Sequence, residues 1–163
     1  MRSIALRDIV DECFQDYHLA SMLLATTKCN WKCLVEQGLS TSLCQNMPLC
    51  DNPIREIPFE SILKRYRSNP ITKAIVIGGL EPLLQFDEVI GLIQYLRENG
   101  VEDDIVIYTG YNKAEVEPQI AALSQFKNIV MKFGRFVPDD IPHFDDVLKI
   151  TLISSNQYAE RIS

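Results

Sequence analysis

Short continuous apolar runs alternate along the chain with stretches whose apolar residues recur at helical spacing, and this alternation predicts the elements. The first run, residues 20–25 (ASMLLA), reads as a buried strand ending just before Cys29. Upstream, residues 4–10 read as either an edge strand or a short helix. Residues 29–53 show no sustained period, and Gly, Ser, Asn and Pro recur among them. This is a long loop, and loops of that length are usually functional. Residues 58–67 are expected to form a helix with Ile62 and Tyr66 on one face. Residues 74–77 (AIVI) form a short strand ended by Gly78-Gly79. Asp87 is expected to cap a helix carrying Val89, Ile90, Ile93 and Leu96, which Asn99-Gly100 stops. A strand over 105–108, a helix from 113 to about 123, and strands near 128–133 and 147–152 complete the pattern.

Continuous apolar strands separated by helices point to an α/β chain with a mostly parallel sheet covered on both faces. Sites in such sheets form at the C-terminal ends of the strands. Three strand ends carry unusual residues: the cysteine loop, Gly78-Gly79-Leu80-Glu81-Pro82, and Thr109-Gly110-Tyr111. Their convergence on one site is expected.

Length and composition narrow the class. A chain of 163 residues is expected to be a single domain, 1–163, large enough to fold without a metal or disulfide. The net charge of −6 argues against general nucleic-acid or anionic-membrane binding, because counterion release needs clustered Lys and Arg. No apolar run approaches the ~20 residues of a spanning helix. The first residues, MRSIALRDIVDE, gain charge too early for a secretory signal. A cytoplasmic protein is the expectation.

A reducing compartment makes the five cysteines informative, because clustered thiols there bind metals or catalyse more often than they pair. Cys13 stands apart and reads as a partly buried thiol. Cys29, Cys33, Cys44 and Cys50 fall within 22 residues. Thiolates at short spacing suit zinc or an iron–sulfur cluster, and residue type alone does not choose. The Gly-Gly turn is read two ways: as a tight turn using positive φ, or as a close backbone approach to a ligand with Glu81 reaching a cation. No Gly-Lys-Ser/Thr follows, so it is not a phosphate-binding P-loop. Trp31, between the first two thiols, is expected to shield the site. Lys132 and Arg135 are candidates for a carboxylate, a partner protein or solvent. His18 and His143 are isolated and read as polar contacts.

Taken together, the motifs resemble the radical SAM enzymes, most closely the activating proteins of anaerobic ribonucleotide reductase. The resemblance rests on Cys29-x3-Cys33 after a first strand, the Gly-Gly-Leu-Glu-Pro turn after the next, and Cys44-Gln45-Asn46. It also rests on Tyr108-Thr109-Gly110-Tyr111, Gly134-Arg135-Phe136 and Ser155-Asn156-Gln157, all in the family's order between about Ser21 and Ile162. Two departures stand out. The family spacing places a third thiol at position 36, where this chain has Glu36, and Leu80 interrupts the Gly-Gly-Glu-Pro motif.

The resemblance implies a partial (βα)6-like radical SAM barrel. It implies a [4Fe–4S] cluster on Cys29, Cys33 and Cys44, with one iron open to S-adenosylmethionine (SAM). Cys50 is the alternative third ligand, or a fourth. SAM contacts are expected from Leu43, Gln45, Gly78, Gly79, Glu81 and Asn156. The implied activity is reductive cleavage of SAM to a 5′-deoxyadenosyl radical that makes a glycyl radical on a partner reductase. A low-potential ferredoxin- or flavodoxin-type donor and an anaerobic setting follow. The alternatives are a radical SAM-like domain with another peptide substrate, and a non-enzymatic four-thiolate zinc or iron–sulfur module.

Overall fold

The computed structural model describes residues 2–163. Its elements run β1 (Ser3–Leu6), β2 (Asp8–Cys13), β3 (Ser21–Thr26), a one-turn helix α1 (Lys32–Val35) and β4 (Arg55–Pro58). There follow α2 (Phe59–Ser68), β5 (Ala74–Gly79), α3 (Phe86–Glu98), β6 (Asp104–Tyr108), α4 (Glu117–Leu123) and β7 (Ile129–Phe133). Three short strands end the chain: β8 (His143–Asp145), β9 (Ile150–Leu152) and β10 (Tyr158–Arg161).

Six strands form one open sheet in the order β10-β7-β6-β5-β3-β2. The four central strands are parallel, and β2 and β10 add antiparallel edges. Side chains alternate across the pleat. Met22, Leu24, Ile75, Ile77, Ile105 and Ile107 face the helices, where α2 and α3 bring Phe59, Ile62, Val89 and Leu92 against them. The opposite face carries the smaller Ala74, Val76, Val106 and Val130. Tyr17, Leu148 and Leu152 cover it. The apolar runs are therefore continuous because both faces are buried, although helices cover only one of them.

Arg97 braces the base of the sheet. It donates to the carbonyls of Val101 (2.6 Å), Asp103 (3.0 Å) and Lys127 (2.8 Å), tying the end of α3 to the starts of β6 and β7. On the far face the β8–β9 hairpin is held by one buried carboxylate. Asp145 accepts from Val147 N (3.0 Å) and Leu148 N (2.8 Å) within the hairpin, and from Ala159 N (2.9 Å) in β10.

Several expected elements need correction. Residues 4–10 belong to two strands: Arg7 N donates to Ala25 O while β1 turns away to pair with β4. The 147–152 segment is not a strand of the parallel sheet. Only Ile150–Leu152 is extended, and it pairs with β8, because Asp145 turns the chain back on itself. The helix expected from 113 to 123 is a 3-10 turn, Lys113–Glu115, then α4, interrupted at Val116 ahead of Pro118. Gln85, not Asp87, occupies the N-cap of α3, and Asp87 lies in its first turn.

Asp145→Ala strands three backbone N–H groups and is expected to cost about 3 kcal/mol, since each buried unsatisfied donor costs ≈ 1–3 kcal/mol and water reaches part of the vacated site. Asp145→Asn, which keeps one acceptor oxygen, should cost less. Urea unfolding midpoints of the two variants test this; equal midpoints to the parent would refute the hairpin's dependence on the carboxylate.

Candidate metal centre

The cysteine loop leaves the sheet at the end of β3 and is anchored before the first thiol. Thr26 Oγ1 donates to Gly78 O (3.0 Å), and Thr27 donates through both N and Oγ1 to Gln85 Oε1 (2.9 Å each). Glu81 N donates to Lys28 O (2.6 Å). The ends of β3 and β5 are thus locked together, and Cys29 starts from a fixed point. Trp31 takes up a left-handed conformation (φ 52°), which reverses the chain into α1 and aims its own N–H at Cys29 Sγ (3.2 Å).

Cys33 sits inside α1 and reaches the end of β6. A Cβ on Gly110 would lie 2.8 Å from Cys33 Sγ, so the thiol occupies the space that a side chain there would fill. After α1 the chain passes through two 3-10 turns, Thr41–Leu43 and Met47–Asp51, with Cys44 between them. Asn46 Nδ2 donates to Gly79 O (2.6 Å), tying this part of the loop to β5. Gly79 has φ 84°, and a Cβ there would come within 2.9 Å of Ala25 Cβ, so the position requires glycine on both counts. Arg7 fastens the far end of the loop by donating to Cys50 O (3.0 Å) and Asn52 O (2.7 Å).

Cys29, Cys33 and Cys44 line one cavity of about 520 Å³ at the C-terminal ends of the strands. Gln45, Gly78, Gly79 and Glu81 line it too, as does Trp31. Cys50 does not. Leu43 and Asn156 also lie outside it. Leu43 is half exposed, and Asn156 instead donates its amide to Arg135 O (3.1 Å). Its neighbour Gln157 reaches the cavity.

Glu81 is buried beneath the cavity as a strut. Its carboxylate accepts from Leu83 N (3.0 Å) and Gly110 N (2.8 Å), joining the ends of β5 and β6. Burial pushes its pKa up against these donors and the nearby Lys132. Lys132 is 6% exposed and lines the same cavity. Burial lowers its pKa to about 8, against the pull of Cys33 and Glu81. Among the described residues its ammonium makes two long hydrogen bonds, to Thr109 O and Gly134 O (3.3 Å each), and lies over the Tyr108 ring, 5.7 Å from its centroid. Burial likewise raises Cys29 to about 11, with the Trp31 N–H opposing and the charges of Glu81, Cys44 and Cys33 adding to the rise.

These features fit a cluster. Among the described residues no group of three or more His, Cys, Asp or Glu side chains is placed to hold a single metal ion. The three thiols are instead spread around a cavity while still close enough to act on one another's charge. Soft thiolates suit iron–sulfur centres, and an N–H donor to a ligand sulfur is a standard means of tuning them. A cation bound there would also relieve the crowding of negative charge.

The chain matches the family of 4Fe-4S single cluster domains over residues 21–157, from the first residue of β3 to the cavity-lining Gln157. It belongs to that family, and a 4Fe–4S cluster is its cofactor. Comparison with curated proteins gives no match. No helix of the described residues is long and apolar enough to cross a membrane.

Sequence patterning does not single out Gly110 as a seat for a thiol, Asn46 as a tether or Gln157 as a lining residue. All three lie inside motifs it does find, so their positions but not their roles are signalled. Arg7 has no signal at all, because its partners are backbone carbonyls far along the chain.

Serine at Cys29, Cys33 or Cys44 is expected to abolish the cluster, whereas Cys50→Ser should retain it. Iron and sulfide content after anaerobic reconstitution measures this. Loss of iron in Cys50→Ser with full retention in Cys44→Ser would reassign the third ligand.

Proposed function

We propose that this chain is a radical SAM iron–sulfur enzyme of the glycyl-radical activating type, built on a partial (βα)6-like barrel. The observation that carries the reading is the meeting of Cys29, Cys33 and Cys44 with the strand-end turns at Gly78–Glu81 and Thr109–Gly110 on one cavity. The arrangement of helices on a single sheet face supports the barrel, since the other face is then its inner wall. The cavity runs from the thiols onto that wall, reaching Val76 and Leu152.

When bound, cluster and SAM would supply reductive SAM cleavage and, through it, hydrogen abstraction from a glycine Cα of a partner reductase. The chain's own residues bind, orient and exclude water. Cys29, Cys33 and Cys44 would hold the cluster, and a three-thiolate set would leave it able to take SAM through its amino and carboxylate groups. Lys132 is a buried cation with unused hydrogen-bonding capacity in the cavity, suited to a carboxylate. The carbonyls of Gly78 and Gly79 accept from Thr26 Oγ1 and Asn46 Nδ2, which draws the cysteine loop onto the end of β5 beside the cavity. Trp31 at the rim limits solvent access. A low-potential donor protein supplies the electron.

A four-thiolate module is disfavoured by Cys50, whose residue lies off the cavity with its carbonyl held by Arg7. A different peptide substrate shares the same site and differs only in the partner.

The test is EPR of reconstituted, dithionite-reduced protein with and without SAM. A reduced [4Fe–4S] signal that changes on adding SAM, with 5′-deoxyadenosine formed, is the expected result. Lys132→Met should weaken SAM binding by about tenfold, the value of one charge-assisted contact. A cluster signal indifferent to SAM would overturn the proposal and leave a plain cluster protein.

A further inference from the structure

Position 36, where Cys-x3-Cys-x2-Cys spacing would put a thiol, holds a carboxylate with its own set of partners. Glu36 receives two hydrogen bonds from Arg135, from Nε to Oε2 (2.9 Å) and from Nη2 to Oε1 (3.3 Å). The same guanidinium donates to Glu115 Oε1 (2.7 Å) and to Gly110 O (2.6 Å). Lys32, one residue before Cys33, closes the ring with Glu115 (2.9 Å). Gln37 Nε2 donates to Cys33 O and to Phe136 O (2.9 Å). The Arg135 guanidinium also lies over the Tyr111 ring, 5.7 Å from its centroid.

Exposed ion pairs contribute little, and Lys32–Glu36 at 3.7 Å is one of these. Arg135 differs. Its side chain is 10% exposed and its planar fork is filled by two carboxylates and a carbonyl. Against the downward pull of burial, Glu36 and Glu115 raise its pKa. Arg135 holds the Glu115 carboxyl down at about 2, with Lys32 second. These are mutually supporting charges of a fixed geometry.

What the ring grips is α1. A four-residue helix has no stability of its own, since helices below ~12–15 residues are marginal in water. Only Leu34 buries an apolar side chain from it. Its seat on Gly110 therefore depends on polar contacts at its ends.

We infer that Glu36 is a positioning residue: with Arg135 it clamps α1 onto Gly110 and so presets the Cys33 thiol. The carboxylate at position 36 works as a tether and not as a ligand. The inference rests on the reading of Cys29, Cys33 and Cys44 as the cluster ligands, and it concerns the apoprotein first.

The experiment measures iodoacetamide alkylation of each cysteine in the apoprotein, resolved by mass spectrometry, for the parent, Glu36→Gln and Arg135→Met. In Glu36→Gln, whose side chain is isosteric and exposed, Cys33 should react about fivefold faster while Cys50 is unchanged, as for local opening of one short element. In a Cys44→Ser background, Glu36→Cys should not restore four-iron incorporation, because position 36 faces Arg135. An unchanged Cys33 rate in Glu36→Gln, or a cluster regained by Glu36→Cys, overturns the clamp. Failure of the ligand reading shows separately, as iron retained in the parent protein after Cys33→Ser. If Arg135→Met does not fold, the Glu36→Gln comparison decides alone.

Discussion

Gly110 is held at both of its peptide groups, and the geometry of the metal centre depends on it. Glu81 takes its N–H, Arg135 donates to its carbonyl, and Cys33 Sγ lies where its side chain would be. Any larger residue would push the thiol off the end of β6. Any loosening of either brace would let the floor tilt. The two braces come from different elements, Glu81 from the end of β5 and Arg135 from just beyond β7. A sheet-wide alignment is thereby transmitted to one sulfur atom. The parallel register of β5, β6 and β7 sets where those side chains begin, so the apolar core beneath fixes the position of the ligands above.

Beneath the cavity the fold accepts a cost. Glu81 and Lys132 are both buried, and burying charge is unfavourable unless partners replace water. Glu81 receives backbone donors from two loops and is well served. Lys132 is less so: its two hydrogen bonds, to carbonyls, are long, and beyond them it has the Tyr108 ring and the charges of Glu81 and Cys33. A structural lysine would be better replaced by an apolar residue of similar volume. Its retention at the bottom of an otherwise suitable cavity makes physical sense if the cavity receives an anion. The electrostatics of the floor are thus those of a cavity that favours an anionic group.

Much of this was legible in the sequence, and the failures have specific causes. The central strands were readable because both faces are buried, which writes Ile and Val continuously. The long helices were readable from their spacing. The β8–β9 hairpin was not, since its three-residue strands are too short for any period and its direction is set by Asp145 through backbone N–H groups. β10 escaped for the same reason, as YAER carries one buried apolar residue. At the site, the three thiols, Gln45, Gly78, Gly79 and Glu81, all named from the sequence, line one cavity. Leu43 and Asn156 were carried over from motif adjacency, and adjacency in sequence does not fix which of two neighbours turns inward. In the last motif it is Gln157 that does so. The ion ring around Arg135 was invisible because its members lie up to 99 residues apart.

A third cavity thiol at position 44 in place of 36 lengthens the excursion from Cys33 from two residues to ten. Loop-closure entropy grows only as the logarithm of length, so this fivefold increase costs about 1.4 kcal/mol. One intramolecular hydrogen bond contributes ≈ 0.5–1.5 kcal/mol, and the loop has several that a shorter one would not need. Asn46 on Gly79 O fixes it two residues past Cys44, and Arg7 on the carbonyls of Cys50 and Asn52 fixes its exit. The tethers offset the added entropy with little to spare, which explains why they bracket the third thiol so closely. The exchange also frees position 36 for a carboxylate. A thiol at position 36 would face Arg135 and leave it without its bidentate partner, whereas the carboxylate gives the guanidinium a reason to stay over Gly110. The long loop and the ion ring are thus two halves of one arrangement: the third cavity thiol comes from farther along the chain, and position 36 carries a carboxylate whose partners lie around the thiol before it.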